Sequence, residues 1–157
     1  MDENGKMYLS EEHLEFRPSV TDWQEAITVA AQPLLTDQII EPKYISAMIE
    51  NVLKFGDYMV LVPKVAMPHA RPESGALKTG FSILKLDEPV VFGKSQEVYL
   101  IICLATNDNQ AHLTMLQKIS ALFDEEEKVD ALLKTTSKKE FITLSEEFIH
   151  EEEEDDD

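Results

Sequence analysis

His69 lies in the segment Val65-Ala66-Met67-Pro68-His69-Ala70-Arg71-Pro72-Glu73-Ser74-Gly75-Ala76, an imidazole set between two prolines with a glycine close behind. Each proline fixes its own φ and pushes the preceding residue toward extended backbone, while Gly75 permits a sharp exit from the loop. Backbone freedom is thereby removed around a side chain that acts near neutral pH as nucleophile, acid, base or metal ligand. Such stiffening suits a reaction that depends on close positioning. A plain turn that happens to contain a histidine fits the same residues, so the segment alone leaves both readings open.

A second histidine, His112, follows Asn107-Asp108-Asn109-Gln110-Ala111 at the start of an expected helix. Helix N-termini offer unpaired N–H groups and a partial positive charge, which suit an anionic group such as a phosphoryl. If the strands preceding His69 and His112 run parallel in one sheet, their carboxyl ends share an edge, where open α/β sheets place their sites. His13 and His150 lie in terminal segments and read as bystanders.

Competing chemistries are poorly served by the remaining residues. His69, Glu73, Asp108 and His112 carry nitrogen and oxygen ligands, but no HxxxH or CxxC pair occurs, so no metal is expected. The single Cys103 sits in the apolar run Val98-Tyr99-Leu100-Ile101-Ile102-Cys103-Leu104-Ala105 and reads as a small buried hydrophobe. Neither a GxSxG elbow nor a GxGxxG or GxxxxGK[ST] loop is present. What survives is a histidine that accepts a transferred group.

The elements that must position these residues follow from periodicity. A helix is expected from an N-cap at Thr21 or Asp22 through Trp23, Ala26, Ile27, Ala30 and Leu34, with Pro33 as a kink or early end. Pro42 opens a second helix along Ile45, Met48, Ile49 and Val52, and Gly56 caps it. Strands are predicted at residues 58–62, leading into the His69 loop, at 79–86, and at 97–105, the most apolar of them. Asp87-Glu88-Pro89 reads as a turn before a short extended piece, Val90-Val91-Phe92. Three more helices carry Leu113, Leu116, Ile119, Leu122 and Phe123, then Val129, Leu132 and Leu133, then Phe141, Leu144, Phe148 and Ile149. Helices before, between and after a central set of strands predict an α/β single-domain sandwich, a mixed sheet of about five strands with helices on both faces. Residues 1–18 read as an N-terminal arm with a weak helical pattern around Leu14, 19–150 as the domain, and 151–157 as a disordered acidic tail.

At 157 residues and 43% hydrophobic content the chain can bury the core of one domain. The formal net charge is −17, and the seven acids from Glu151 to Asp157 supply only part of it. A field of this sign repels phosphate backbones and favours basic partners, so no nucleic-acid binding is expected. No apolar segment resembles a signal peptide or reaches the length of a membrane span, which predicts a cytoplasmic protein.

The segment Ala66-Met67-Pro68-His69-Ala70-Arg71-Pro72-Glu73 resembles the active-site segment of enzyme IIA components of the bacterial phosphoenolpyruvate-dependent sugar phosphotransferase system. From about Asp22 to Phe148 the order of elements is similar to the mannitol/fructose-type IIA domains, with Pro42-Lys43-Tyr44-Ile45, Phe92-Gly93 and Asn109-Gln110-Ala111-His112-Leu113 in matching places. Within that superfamily the extended PHARPE form, with Pro63 six residues before the histidine, most resembles the ascorbate-type proteins. Mannitol-type members tend to carry an arginine where this chain has Asn51 and a glutamate where it has Pro63.

The resemblance implies a phosphotransferase with a phosphohistidine intermediate. His69 would accept the phosphoryl group on Nε2 from the carrier protein HPr and pass it to a cysteine of a cognate IIB component, which serves a membrane IIC permease. His112 would stabilise the phosphoryl, with Arg71 and Glu73 as further candidate site residues, and no metal or cofactor is implied. The sugar implied is ascorbate or a related acidic sugar or pentitol. A mannitol- or fructose-specific carrier, or a regulatory protein that senses its own phosphorylation through protein contacts, is the alternative.

Overall fold

The computed structural model describes residues 9–155, and the side chains of residues 9–151. Five strands form one mixed sheet: β1 (Leu14–Arg17), β2 (Val60–Val62), β3 (Lys64–Ala66), β4 (Gly80–Phe92) and β5 (Gln96–Ala105), in the spatial order β1-β4-β5-β3-β2. The β1/β4 and β3/β5 pairs are parallel, and the β4/β5 and β2/β3 pairs antiparallel. The α-helices of the described residues are α1 (Trp23–Thr36), α2 (Pro42–Phe55), α3 (Asn109–Ser120), α4 (Glu126–Leu133) and α5 (Lys138–Asp155).

The apolar run in β5 explains the layering. A strand covered on both faces needs apolar residues of both parities. Ile101, Cys103 and Ala105 join a cluster with Ile27, Leu34, Tyr44 and Met48 of α1 and α2. Leu100, Ile102 and Leu104 join another with Met115, Ile119, Leu132 and Phe141 of α3, α4 and α5. The predicted α/β sandwich with helices on both faces is therefore the observed one.

Local signals fix the helix ends. Asp22 caps α1 by accepting from the Glu25 amide at 2.8 Å, and the Glu25 carboxylate accepts in return from the Thr21 amide. Pro42 occupies the first turn of α2, whose end at Gly56 has φ +74°. Asp108 caps α3 by accepting from the Gln110 amide at 3.0 Å.

Several expectations are corrected. The arm around Leu14 is a strand, not helical: Leu14 is buried and pairs with Ile83 of β4, so sheet pairing outweighs the local pattern. The arm thus belongs to the sheet from residue 14 onward. Pro33 neither ends nor shortens α1, because Leu34 beside it is fully buried and its packing offsets the hydrogen bond a helical proline forgoes. Asp87-Glu88-Pro89 is no turn but a bulged stretch inside β4, where the register with β5 skips from Lys85 to Val90. The strand expected at 58–62 is the hairpin β2/β3, turned at Pro63 and Lys64, the latter with φ +78°. Leu113, read as part of the apolar face of α3, is 57% exposed, whereas Ile119 of the same reading is buried and Met115 takes the core position beside it. Residues 151–155 of the tail expected to be disordered continue α5, since glutamates are good helix formers once a helix is nucleated by packed residues such as Phe141. Asp156 and Asp157 lie outside the described residues.

Candidate functional site

The parallel pairing of β3 with β5, Val65 opposite Leu100 and Ala66 opposite Ile101, sends both strands toward the same edge of the sheet. β3 runs out into the loop that holds His69, and β5 runs out through residues 106–108 into α3, whose first turn holds His112. One sheet edge therefore carries both histidines, as the sequence argument required.

Main-chain bonds hold the His69 loop throughout. The Met67 amide donates to the Met59 carbonyl at 2.9 Å, and the Pro68 carbonyl accepts from the Leu104 amide at 3.1 Å. The Asn51 side-chain amide donates to the His69 carbonyl at 3.3 Å, and the Ala70 amide donates to the Tyr44 hydroxyl at 3.0 Å. After Arg71 a single 3-10 turn, Pro72–Ser74, leads to Gly75 at φ +127°. A Cβ at Gly75 would stand 3.1 Å from Lys43 Cγ and 3.3 Å from the Tyr44 amide, so the loop exit packs against the first turn of α2 as only glycine allows.

The imidazole itself is oriented. Its Nδ1 lies 2.9 Å from the Met67 carbonyl oxygen. A carbonyl only accepts, so the proton sits on Nδ1 and the Nε2 lone pair is free. Among the described residues Nε2 has no hydrogen-bond partner. The Tyr58 ring meets the imidazole edge-on, with centroids 6.2 Å apart at 65°.

An open cavity of about 720 Å³ adjoins the ring, lined among others by Glu50, Asn51, Phe55, Tyr58, His69 and Arg71. The exposed guanidinium of Arg71 makes no ion pair with a described residue, which leaves its donors available to an incoming anion. Glu73 is exposed on the 3-10 turn and does not line this cavity, although its neighbour Ser74 does.

His112 is held by its helix, its amide bonded to the Asp108 carbonyl at 3.0 Å, and Thr106 fixes the cap by donating to that carbonyl at 2.7 Å. Desolvation, followed by the charge of His69, lowers its pKa from the ordinary 6.5. The second cause means that the two imidazoles sense each other's charge across the site. Cys103, by contrast, is buried in β5 with its thiol pushed up to about 12 by desolvation, and has no nucleophilic role.

The structure thus sets Arg71 in the cavity beside His69, brings His112 to the same sheet edge, and sets Glu73 to one side. Sequence reasoning missed Tyr44, Glu50, Phe55 and Tyr58 as site residues and met Asn51 only as a departure from another type. Tyr44, Met48 and Asn51 recur along one face of α2, and that periodicity was the available signal.

The model of the family "Phosphoenolpyruvate-dependent sugar phosphotransferase system, EIIA 2" matches residues 7–147. A mannitol-specific cryptic phosphotransferase enzyme IIA component of Escherichia coli is 40% identical over 138 residues, 87% of this chain and 94% of its own. The solution structure of the Escherichia coli mannitol-specific cryptic enzyme IIA superposes with a TM-score of 0.83 at 38% identity, covering 89% of this chain and 96% of the other. The ascorbate-specific EIIA component of Escherichia coli is 36% identical over 125 residues, 78% of this chain and 81% of its own. Enzyme IIA of the mannitol system, solved in complex with phosphorylated enzyme IIB from Escherichia coli, matches with a TM-score of 0.77 at 26% identity over 88% of this chain and 97% of the other.

Proposed function

The chain belongs to the EIIA 2 family of the phosphoenolpyruvate-dependent sugar phosphotransferase system, a family of phosphotransferases that work through a phosphohistidine, and from that premise we propose that His69 is its phosphorylated residue. The observation that carries this reading is the Nδ1–H bond to the Met67 carbonyl, which leaves Nε2 as the free nucleophile beside an open cavity.

In the first transfer the Nε2 lone pair attacks the phosphorus of a phosphohistidine on the carrier HPr. The Nε2–P bond forms as the donor N–P bond breaks, and its electron pair returns to the donor imidazole. The ring gains positive character as its lone pair is shared, and the Met67 carbonyl stabilises it through Nδ1–H. Catalysis of this kind is mostly positioning and charge stabilisation. His112 donates to the phosphoryl oxygens, and Arg71 reaches them from the cavity wall. In the second transfer a IIB cysteine thiolate attacks the same phosphorus, the P–S bond forms, and the Nε2–P electron pair returns to His69.

Phe55, Tyr58 and Leu113 are exposed apolar side chains beside the two histidines. They serve as dry contacts for HPr and IIB, which dock in turn on a modest surface. Glu73, outside the cavity, takes no part in holding the phosphoryl. No described helix is long and apolar enough to cross a membrane, which fits a carrier that reaches its IIC permease through IIB in the cytoplasm.

The sugar is ascorbate or a related acidic sugar or pentitol. This rests on the PHARPE segment with Pro63, on Asn51, and on the ascorbate-specific relative. A mannitol-specific carrier is the second reading, favoured by the mannitol-named relative at 40% identity.

Incubation with labelled phosphoenolpyruvate, enzyme I and HPr should place one acid-labile phosphoryl on the wild type and none on His69→Ala. Labelling of the variant overturns the assignment. Transfer onward to purified ascorbate-type and mannitol-type IIB proteins separates the two sugar readings by the faster acceptor.

A further inference from the structure

Both sides of His69 are tied to a single residue of β5, once directly and once through a phenol. On the N-terminal side the Leu104 amide donates to the Pro68 carbonyl at 3.1 Å. On the C-terminal side the Ala70 amide donates to the Tyr44 hydroxyl at 3.0 Å, and that hydroxyl donates to the Leu104 carbonyl at 2.7 Å. The Ala70 carbonyl, at 3.2 Å from the same hydroxyl, is a second acceptor for its proton. Tyr44 is 1% exposed, on the face of α2 that also carries Met48 and Asn51. Burial raises the phenol pKa well above its usual range, so the hydroxyl keeps the proton it donates.

Leu104 is also the next-to-last residue of β5, the strand that runs on to the cap of α3 and to His112. We propose that Tyr44 is a positioning residue for phosphoryl transfer, its hydroxyl fixing the His69 loop against the strand that leads to His112. The proposal rests on the reading of His69 as the phosphorylated residue. The aromatic ring fills core space and would do so equally as phenylalanine. Only the oxygen bridges the two segments, and its loss leaves the Ala70 amide and the Leu104 carbonyl without that partner. His69 would then sample orientations in which Nε2 is off the line of transfer.

The test is Tyr44→Phe beside wild type and Ile27→Val, a core change under α1 of similar mildness. Transfer from phospho-HPr is followed as kcat and KM separately, with hydrogen exchange of the Ala70 amide and the denaturant midpoint. The expected result for Tyr44→Phe is a fall in kcat of about 10- to 100-fold with KM within about twofold, and faster Ala70 exchange. Ile27→Val should keep wild-type kcat. A Tyr44→Phe kcat within about twofold of wild type overturns the proposal, as does an equal loss in an Ile27→Val protein of matching stability. Unchanged Ala70 exchange overturns the clamp itself, whatever the activity. Wild type that takes no phosphoryl on His69 overturns the functional reading and, with it, the role proposed for Tyr44.

Discussion

Met67 and His69 are joined within their own loop, the carbonyl of one accepting from Nδ1–H of the other at 2.9 Å. Because Pro68 fixes the φ between them, this short ring of atoms selects one imidazole tautomer before any partner arrives. Phosphorylation is accordingly expected at Nε2, seen as the phosphorylated-nitrogen shift in ¹⁵N-edited spectra. His69→Gln should lose all acid-labile label. A phosphoryl found on Nδ1 contradicts the tautomer argument.

His112 titrates below its ordinary 6.5 because of desolvation and the charge of His69. The unfolded chain therefore binds this proton more readily than the native one. His112 leaves stability level above pH 6.5 and lowers it as pH falls through that value toward the folded pKa. A phosphoryl on His69 sets an anion close to His112, so the His112 pKa should rise on phosphorylation. Histidine C–H titrations of the free and phosphorylated protein measure both. Removing its donor in His112→Ala should slow transfer by about 10- to 100-fold while His69 still labels.

A net charge of −17 should draw a carrier protein with a basic face toward the site. Transfer from HPr at low protein concentration should slow by about tenfold between low salt and 0.15 M. A rate indifferent to ionic strength would show that the approach is steered by shape alone.

Leu113 stands 57% exposed one residue beyond His112, where burial gives it no purpose. Leu113→Asp should fold with an unchanged denaturant midpoint and raise KM for HPr or IIB by about tenfold, with kcat little altered. Unchanged kinetics with both proteins would remove α3 from the docking surface.

Gly93 turns β4 into β5 at φ +64°, and a Cβ there would fall 2.7 Å from that of Asp57. Gly93→Ala should cost about 1–3 kcal/mol in a urea titration, because neither the backbone conformation nor the contact admits a methyl group. A loss below about 0.5 kcal/mol would mean that the Asp57 segment yields freely.

The sequence made the inner strand and the helix ends readable. Both parities of β5 are apolar, and Asp22, Pro42, Gly56 and Asp108 sit where caps belong. The parallel strands behind His69 and His112 could also be anticipated, although the one before His69 is β3 rather than the stretch from Tyr58. Strand β1 was hidden, because its four residues gain their extended form from β4, which lies far along the chain. Pro89 carried a turn signal that the register skip in β4 absorbed. At the site, the apolar face read for α2 through Ile45, Met48, Ile49 and Val52 passes over Tyr44, and the partners of its oxygen, Ala70 and Leu104, meet only in the folded chain.

Strand β1 lies at the sheet edge opposite the hairpin before His69, covering β4 from Ile83 to Leu86, with Phe16 set edge-on to Phe141 at 6.0 Å. A chain beginning at residue 19 would uncover that row of N–H and C=O groups on one of the longest strands of the sheet. Two copies of such a chain could then zip edge to edge, at the end of the sheet away from the β2/β3 hairpin. The first strand thus trades the Ile83–Leu86 stretch of a long edge for a short one of four residues, which offers an incoming strand less to pair with.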